Sequence, residues 1–215
     1  MEGEGVNTEE VVNMNVIAIG AHPDDIEYGC YGAIMRHLER GDKVHFIILS
    51  AGEKSGDRET RLKEAEESAR RMGVVLHQFH YPDTNIPMSH DVIDNIERII
   101  KEVNPQRIYT HSVNDTHQDH RTVAYHTLAA ARRVPEIFFY ESPSIYIGFK
   151  PNYYIDITKY MNDKIKALNI FSSQNNKDFM KIHAIQGLAQ FRGLASSVKY
   201  AEAFEVVRIL KKDGI

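Results

Sequence analysis

Four times between residues 15 and 133, a short apolar run rich in β-branched residues gives way to a longer stretch with helical periodicity. Asn15–Gly20 (NVIAIG) is apolar almost throughout, the pattern of a strand buried on both faces. Residues 29–40 put Cys30, Ile34 and Leu38 on one helical face, and Gly41 ends the run. Residues 43–50, 74–80 and 106–111 read as further strands, with helices at 59–72, 92–103 and 119–133. Such alternation predicts right-handed crossovers and a doubly wound, mostly parallel α/β sheet of Rossmann-like type, with helices on both faces. Further strands are expected at 136–140 and 153–157 and helices at 159–171 and 175–191; 203–210 is assigned to a last strand.

No repeat or linker interrupts this pattern, so residues 13–215 read as one domain behind a flexible acidic tail, residues 1–12. Lys plus Arg number 26 and Asp plus Glu 30, a net charge of −4. That balance offers no basic face to nucleic acid or to an anionic membrane. The lone Cys30 excludes an internal disulfide. The first basic residue is Arg36, so no positive leader with an apolar core precedes the first strand. No stretch approaches the roughly 20 apolar residues that cross a bilayer. The expectation is a cytoplasmic protein with neither nucleic-acid partner nor membrane insertion.

The first strand runs not into a glycine-rich phosphate loop but into Ala21-His22-Pro23-Asp24-Asp25-Ile26-Glu27. An imidazole and two carboxylates packed at the end of a buried strand repel and lose hydration. A divalent cation resolves this by neutralising the carboxylates and accepting the imidazole lone pair. Helix capping by Asp24 or Asp25 beside a solvated His22 is the plainer alternative. The fourth strand is followed by Asn114-Asp115-Thr116-His117-Gln118-Asp119-His120-Arg121, with His117 and His120 on one helical turn. With strand order 3-2-1-4-5, strands one and four adjoin where the order reverses, and ligands bind outside the carboxyl ends there. The two clusters, about 95 residues apart, would share that cleft.

AHPDDIEYGCYGAI, KVHFIILSAGEKSG, RLKEA at residues 61–65, Tyr81-Pro82-Asp83 and NDTHQDHR together resemble the LmbE / PIG-L family of zinc-dependent N-acetylglucosaminyl deacetylases. The resemblance covers residues 14–126 and returns at 200–204 (YAEAF). It implies a zinc ion held by His22, Asp25 and His120, with open positions for water and substrate. It also implies Asp24 as general base, a cationic His117 as oxyanion stabiliser and proton donor, and Asp119 as the partner that orients His117. Arg61 becomes a candidate for substrate or acetate contact, and Glu53, in the loop after strand two, for substrate contact. Tyr31 departs from the small residue usual at its position. The implied activity is hydrolysis of the acetamide of an N-acetylated amino sugar or its conjugate. A metal-dependent amidase for another amide, another divalent metal, and a non-catalytic metal- or sugar-binding module remain as alternatives. A homo-oligomer is in keeping with the family, but no segment fixes a symmetry.

The remaining histidines, His37, His45, His77, His90, His126 and His183, read as surface or internally satisfied groups. His80 and His111 end strands three and four and are secondary candidates for the cleft. The aromatic segment 140–154 reads as core or oligomer contact before saccharide border, and Cys30 as core.

Overall fold

The computed structural model describes residues 13–211; the tail expected over residues 1–12 lies outside the described residues. Seven strands, β1 (Asn15–Gly20), β2 (Lys43–Ile48), β3 (Val75–Gln78), β4 (Arg107–Thr110), β5 (Glu136–Tyr140), β6 (Tyr153–Asp156) and β7 (Ala201–Ile209), form one sheet. Their order is β3-β2-β1-β4-β5-β7-β6. The first five strands run parallel, and β7 lies antiparallel between β5 and β6. The expected order holds, and the reversal falls between β1 and β4.

The helices are α1 (Asp25–Glu39), α2 (Arg58–Met72), α3 (His90–Val103), α4 (Gln118–Ala130), α5 (Met161–Leu168) and α6 (Ile182–Ala195). β1 shows why both faces are covered. Val16 and Ala18 enter one apolar core with Ile26 and Ile34 of α1, Ala65 of α2, Leu168 of α5 and Ile185 of α6. Ile17 and Ile19 enter the opposite core with Val92, Ile96 and Ile99 of α3 and Val123 of α4. Alternate side chains of one strand thus feed two cores, the reason its sequence reads as a continuous apolar run. No helix of the described residues is long and apolar enough to cross a membrane.

Two elements differ from expectation in ways that matter to the site. α1 begins at Asp25, not near residue 29, and is kinked at Cys30 (φ −146°). The kink frees backbone donors, and the Glu202 carboxylate accepts from Gly32 N–H and Ala33 N–H at 2.9 Å each. Lys164 Nζ, 2.7 Å away, compensates that buried charge. The family-like segment 200–204 therefore braces the helix that follows the first cluster. Gly29 is required by the same packing, since a Cβ there would lie 2.2 Å from Cδ2 of buried Tyr140.

The helix expected at 175–191 starts only at Ile182. Before it, Ser172–Gln174 and Asp178–Met180 form single 3-10 turns. Ser and Asn compete for backbone hydrogen bonds and disfavour a regular helix. Glu64 accepts from the Ser172 and Ser173 hydroxyls and Ser173 N–H, fixing this segment over the carboxyl end of the sheet.

Candidate metal centre and active site

The loop leaving β1 turns sharply. Asp24 has φ +92°, a left-handed conformation unusual for a residue with a Cβ, and strain of this kind persists only where surroundings enforce it. Arg61, 2% exposed, does so. Its Nη2 donates to Pro23 O at 3.0 Å and its Nε to Ala51 O at 3.1 Å. Gly52 gives the guanidinium room, because a Cβ there would lie 2.5 Å from Arg61 Nε. Inside the turn, Asp25 Oδ2 accepts His22 N–H at 2.7 Å.

The loop leaving β4 is organised by Asp115. Its carboxylate accepts His117 N–H at 2.8 Å, a His120 Nδ1 proton at 2.9 Å and the Ser142 and Ser144 hydroxyls. His22 is held in the same manner, its Nε2 lying 3.0 Å from Asp83 Oδ1 and 3.2 Å from Asp119 Oδ2. A carboxylate on one ring nitrogen fixes the tautomer and leaves the other lone pair free. That leaves Nδ1 of His22, 3.5 Å from Asp25 Oδ2, and Nε2 of His120, 3.5 Å from Asp25 Oδ1. The three residues expected as ligands therefore converge, with Asp25 between two rings whose outer nitrogens are occupied.

This donor set fits a divalent cation. Two imidazoles and one carboxylate suit zinc and leave positions for substrate. Charge points the same way. Burial opposes protonation of His22 and His120, yet neighbouring carboxylates outweigh it and hold both pKa values up, His120 at about 9. The pocket thus attracts positive charge although buried. Donor atoms lie within 4.8 Å of one another in His22 with His117 and His120, which joins the two imidazoles of the expected set to a third, and in two further groupings, Asp25 with His111 and His120, and His22 with Asp83 and Asp119. In the latter, Asp119 already accepts Thr84 N–H at 2.7 Å and Ile86 N–H at 3.1 Å, which suits an acceptor that orients His22 better than a ligand. In the former, His111 Nε2 lies 3.1 Å from Ala21 N and 3.0 Å from Asp25 Oδ2, so its lone pair is engaged and the ring buttresses Asp25.

Asp24 stands apart from this set. It is 9% exposed, and its carboxylate lies 3.6 Å from Arg61 Nη2. Burial raises its pKa to about 6, against the lowering effect of Arg61. His117 is half-buried beside His22 and His120, with ring centroids at 5.0 and 4.5 Å. Burial, then the neighbouring imidazoles, push its pKa down. Its Nδ1 accepts Asp119 N–H at 3.3 Å, which places the ring proton on Nε2. His22, Asp24, Asp25, Arg61, His117 and His120 all line one cavity of about 300 Å³.

Two sequence assignments need correction. The Asp119 carboxylate contacts His22 and the backbone of residues 84 and 86; only its backbone N–H reaches His117. Glu53 does not line the cavity, since its carboxylate accepts Asp83 N–H at 3.0 Å and the Ser50 hydroxyl. His117 lies where the resemblance puts it, beside His22 and His120, and its pKa is lowered there by burial and by those rings. Of the two secondary candidates, His111 is fully buried against Asp25, whereas His80 is exposed and off the cavity. His37 and His126 are buried and satisfied as expected, by Asp42 with Tyr109 and by Thr122 O with Ser89 N–H. The aromatic segment divides: Tyr140 is core, Pro143 and Ser144 line the cavity, and Tyr146 is exposed. Sequence reasoning left Asp83 and Asp115 without roles, although each follows a strand end and abuts an assigned cluster.

The chain matches the family model described as PIG-L, GlcNAc-PI de-N-acetylase, over residues 17–131. It is 32% identical to the uncharacterized deacetylase YaiS of Escherichia coli K12 over 164 residues, covering 71% of this chain and 88% of that protein. Among solved structures, N,N'-diacetylchitobiose deacetylase from Pyrococcus horikoshii superimposes with a TM-score of 0.80 at 26% identity, covering 90% of this chain and 84% of that one. A 4-carboxy-2-hydroxymuconate hydratase from Pseudomonas putida reaches a TM-score of 0.83 at 18% identity, covering 94% and 99%, a likeness of fold alone. The family match runs from β1 through α4, taking in both loops that build the cavity and more than half of the 215 residues, and the chain belongs to the PIG-L (LmbE) family of deacetylases.

Proposed function

We propose that the chain is a zinc-dependent N-deacetylase that hydrolyses the acetamide of an N-acetylated amino sugar, with His22, Asp25 and His120 as ligands. One observation carries this reading: two imidazoles locked from outside by carboxylates flank Asp25, while a separate buried carboxylate, Asp24, faces the same cavity. A zinc ion held there supplies Lewis acidity, polarising an amide carbonyl and acidifying a water.

The chain's own groups supply the rest. Asp24 accepts a proton from the attacking water, a task matched to a pKa near the working range. His117, neutral with its proton on Nε2, donates a hydrogen bond to the oxygen that gains charge as the carbonyl is attacked. Protonated Asp24 then returns the proton to the departing amine nitrogen, so that acetate and a free amine leave. Arg61 holds Asp24 in its strained turn and retains Nη1, a buried donor without a partner among the described residues, for an acetate oxygen. The similarity to a diacetylchitobiose deacetylase supports an N-acetyl sugar as substrate.

Acetate release from N-acetylglucosamine and N,N'-diacetylchitobiose, with zinc and with chelator, tests this. The expected result is release that the chelator stops and zinc restores. Sugar binding without acetate release would instead mark a binding module, and release only from non-sugar amides would mark another amidase.

A further inference from the structure

Backbone strain marks a second place on the cavity. Among the described residues, Asp24, Thr84, Asn104 and Ser197 have positive φ without being glycine. Asn104 caps α3, and asparagine tolerates that conformation. Ser197 sits in an exposed turn after α6, and Asp24 belongs to the loop of the proposed base. Thr84, at φ +64°, is the β-branched residue of the four, the kind of side chain least suited to the left-handed region. It is the third residue of a turn in which Asn85 N–H donates to Pro82 O at 3.2 Å. With positive φ at that residue and not at Asp83, the turn is of the type that ordinarily takes glycine there.

Thr84 is held in this conformation from both sides. Its N–H donates to Asp119 Oδ2 at 2.7 Å, the same oxygen that lies 3.2 Å from His22 Nε2. Its carbonyl accepts from Gln118 Nε2 at 3.2 Å. Both anchors belong to the first turn of α4, and Asp83, just before Thr84, stands 3.0 Å from His22 Nε2. The turn is therefore fixed to the side of the cavity that holds the proposed metal ligands. Glycine would make the same two backbone bonds without the strain. What threonine adds is a side chain that is exposed, lines the cavity and has its hydroxyl bonded to no protein group among the described residues. Strain of this kind persists where the surroundings enforce it, and it clusters where ligands are gripped.

We propose that Thr84 is a specificity residue whose hydroxyl recognises a hydroxyl of the substrate sugar, the one on C3 beside the carbon that bears the acetamide. This rests on the N-deacetylase reading of the same cavity. In an N-acetylglucosamine unit the acetamide is on C2, flanked by C1 and C3. C1 carries the aglycone of a glycoside, so the C3 hydroxyl is the free hydroxyl nearest the scissile amide and the turn that borders it. A threonine hydroxyl both donates and accepts, so it pairs with another hydroxyl and leaves neither unmatched. The contact is made in ground state and transition state alike, and it acts on KM and not on kcat.

The test uses zinc-loaded protein with the methyl glycoside of N-acetylglucosamine and its 3-deoxy and 6-deoxy analogues. Thr84→Val keeps the branched shape and the strained backbone and removes the hydroxyl; Thr84→Gly removes the strain together with the side chain. Calorimetric affinity, KM and kcat are measured for each sugar, and zinc affinity and Tm for each variant. Thr84→Val is expected to raise KM by about 3–10-fold, the worth of one neutral hydrogen bond, for the parent and 6-deoxy sugars. It leaves the 3-deoxy sugar as in wild type, with kcat and zinc affinity unchanged. Thr84→Gly loses the same sugar affinity without a fall in Tm, which a residue kept for folding would not do. An unchanged KM in Thr84→Val overturns the proposal. So does an equal rise for the 3-deoxy sugar, since the hydroxyl would then act elsewhere, and so does a lower Tm in Thr84→Gly. Acetate release indifferent to Thr84 sinks this proposal but not the deacetylase reading. Sugar binding that depends on Thr84 and the C3 hydroxyl, without acetate release, does the reverse.

Discussion

Replacing Asp119 by Asn separates the structure's account of this residue from the one its position in the sequence suggests. The carboxylate accepts three donors: Ile86 N–H on Oδ1, and Thr84 N–H and the His22 Nε2 proton on Oδ2. An amide cannot serve all three. With its oxygen on the Oδ2 side, the NH2 group opposes Ile86 N–H and leaves a buried donor unpaired, at about 1–3 kcal/mol. With its oxygen on the Oδ1 side, the NH2 opposes Thr84 N–H and the His22 Nε2 proton, and His22 relieves this only by moving its proton to Nδ1, the nitrogen assigned to the metal. The first arrangement keeps the His22 bond at that cost and the second gives up the ligand's preferred tautomer; loss of such an outer partner weakens metal binding by up to about 10–100-fold, or roughly 1.4–2.7 kcal/mol. Competition against a chelator of known affinity measures this directly, and kcat at saturating zinc completes the test. The expectation is weaker metal binding with kcat largely recovered when zinc is in excess. Unchanged chelator competition with a large loss of kcat would refute the reasoning and return Asp119 to His117.

Asp24→Asn keeps the metal and loses about 10²–10⁴ in kcat, as removal of a general base should; metal analysis beside a turnover assay checks it, and near-wild-type turnover removes Asp24 from that role. Gly29→Ala drives a Cβ into Tyr140, whose hydroxyl donates to Ile19 O, and destabilises by about 1–3 kcal/mol, roughly 2–12 °C in Tm by calorimetry. An unchanged Tm would show that the kink of α1 can shift at little cost. Burial holds the pKa of His37 below its ordinary value despite Asp42, so the folded chain resists a proton that the unfolded chain accepts near pH 6.5. Its contribution to stability is complete above that pH and is lost as pH falls through the lowered value. Urea midpoints at pH 7.5 and 5 should therefore fall more steeply for wild type than for His37→Gln; equal slopes would assign the dependence to other groups.

What the sequence made legible follows from how locally each feature is encoded. Buried parallel strands announce themselves because both faces are apolar, as in Asn15–Gly20, and the order β3-β2-β1-β4-β5, taken as a common one for a doubly wound sheet, is the one observed. That the loops bearing His22, Asp25 and His120 meet was readable because strand ends at the reversal of order share a cleft, whereas the choice of these three residues came from the family resemblance. The failures concern side chains whose partners are remote in sequence. Asp119 lies two residues from His117, which suggested that pairing, but the helix directs its carboxylate across the cleft to His22, 97 residues earlier. Glu53 carried no local sign that residue 83, thirty positions on, would take its carboxylate. Lys177 was hidden inside a presumed helix, and only the Ser-rich turns pinned by Glu64 bring it to the cavity.

The most direct measurement is a zinc-binding isotherm on wild type, Asp25→Ala, His120→Ala and Asp83→Ala. The account predicts one ion per wild-type chain, essentially none bound by the Asp25 and His120 variants, and weakened but saturable binding by the Asp83 variant. One ion still held at wild-type affinity after loss of Asp25 or His120, or binding abolished by the Asp83 change alone, would place the cation elsewhere and contradict it.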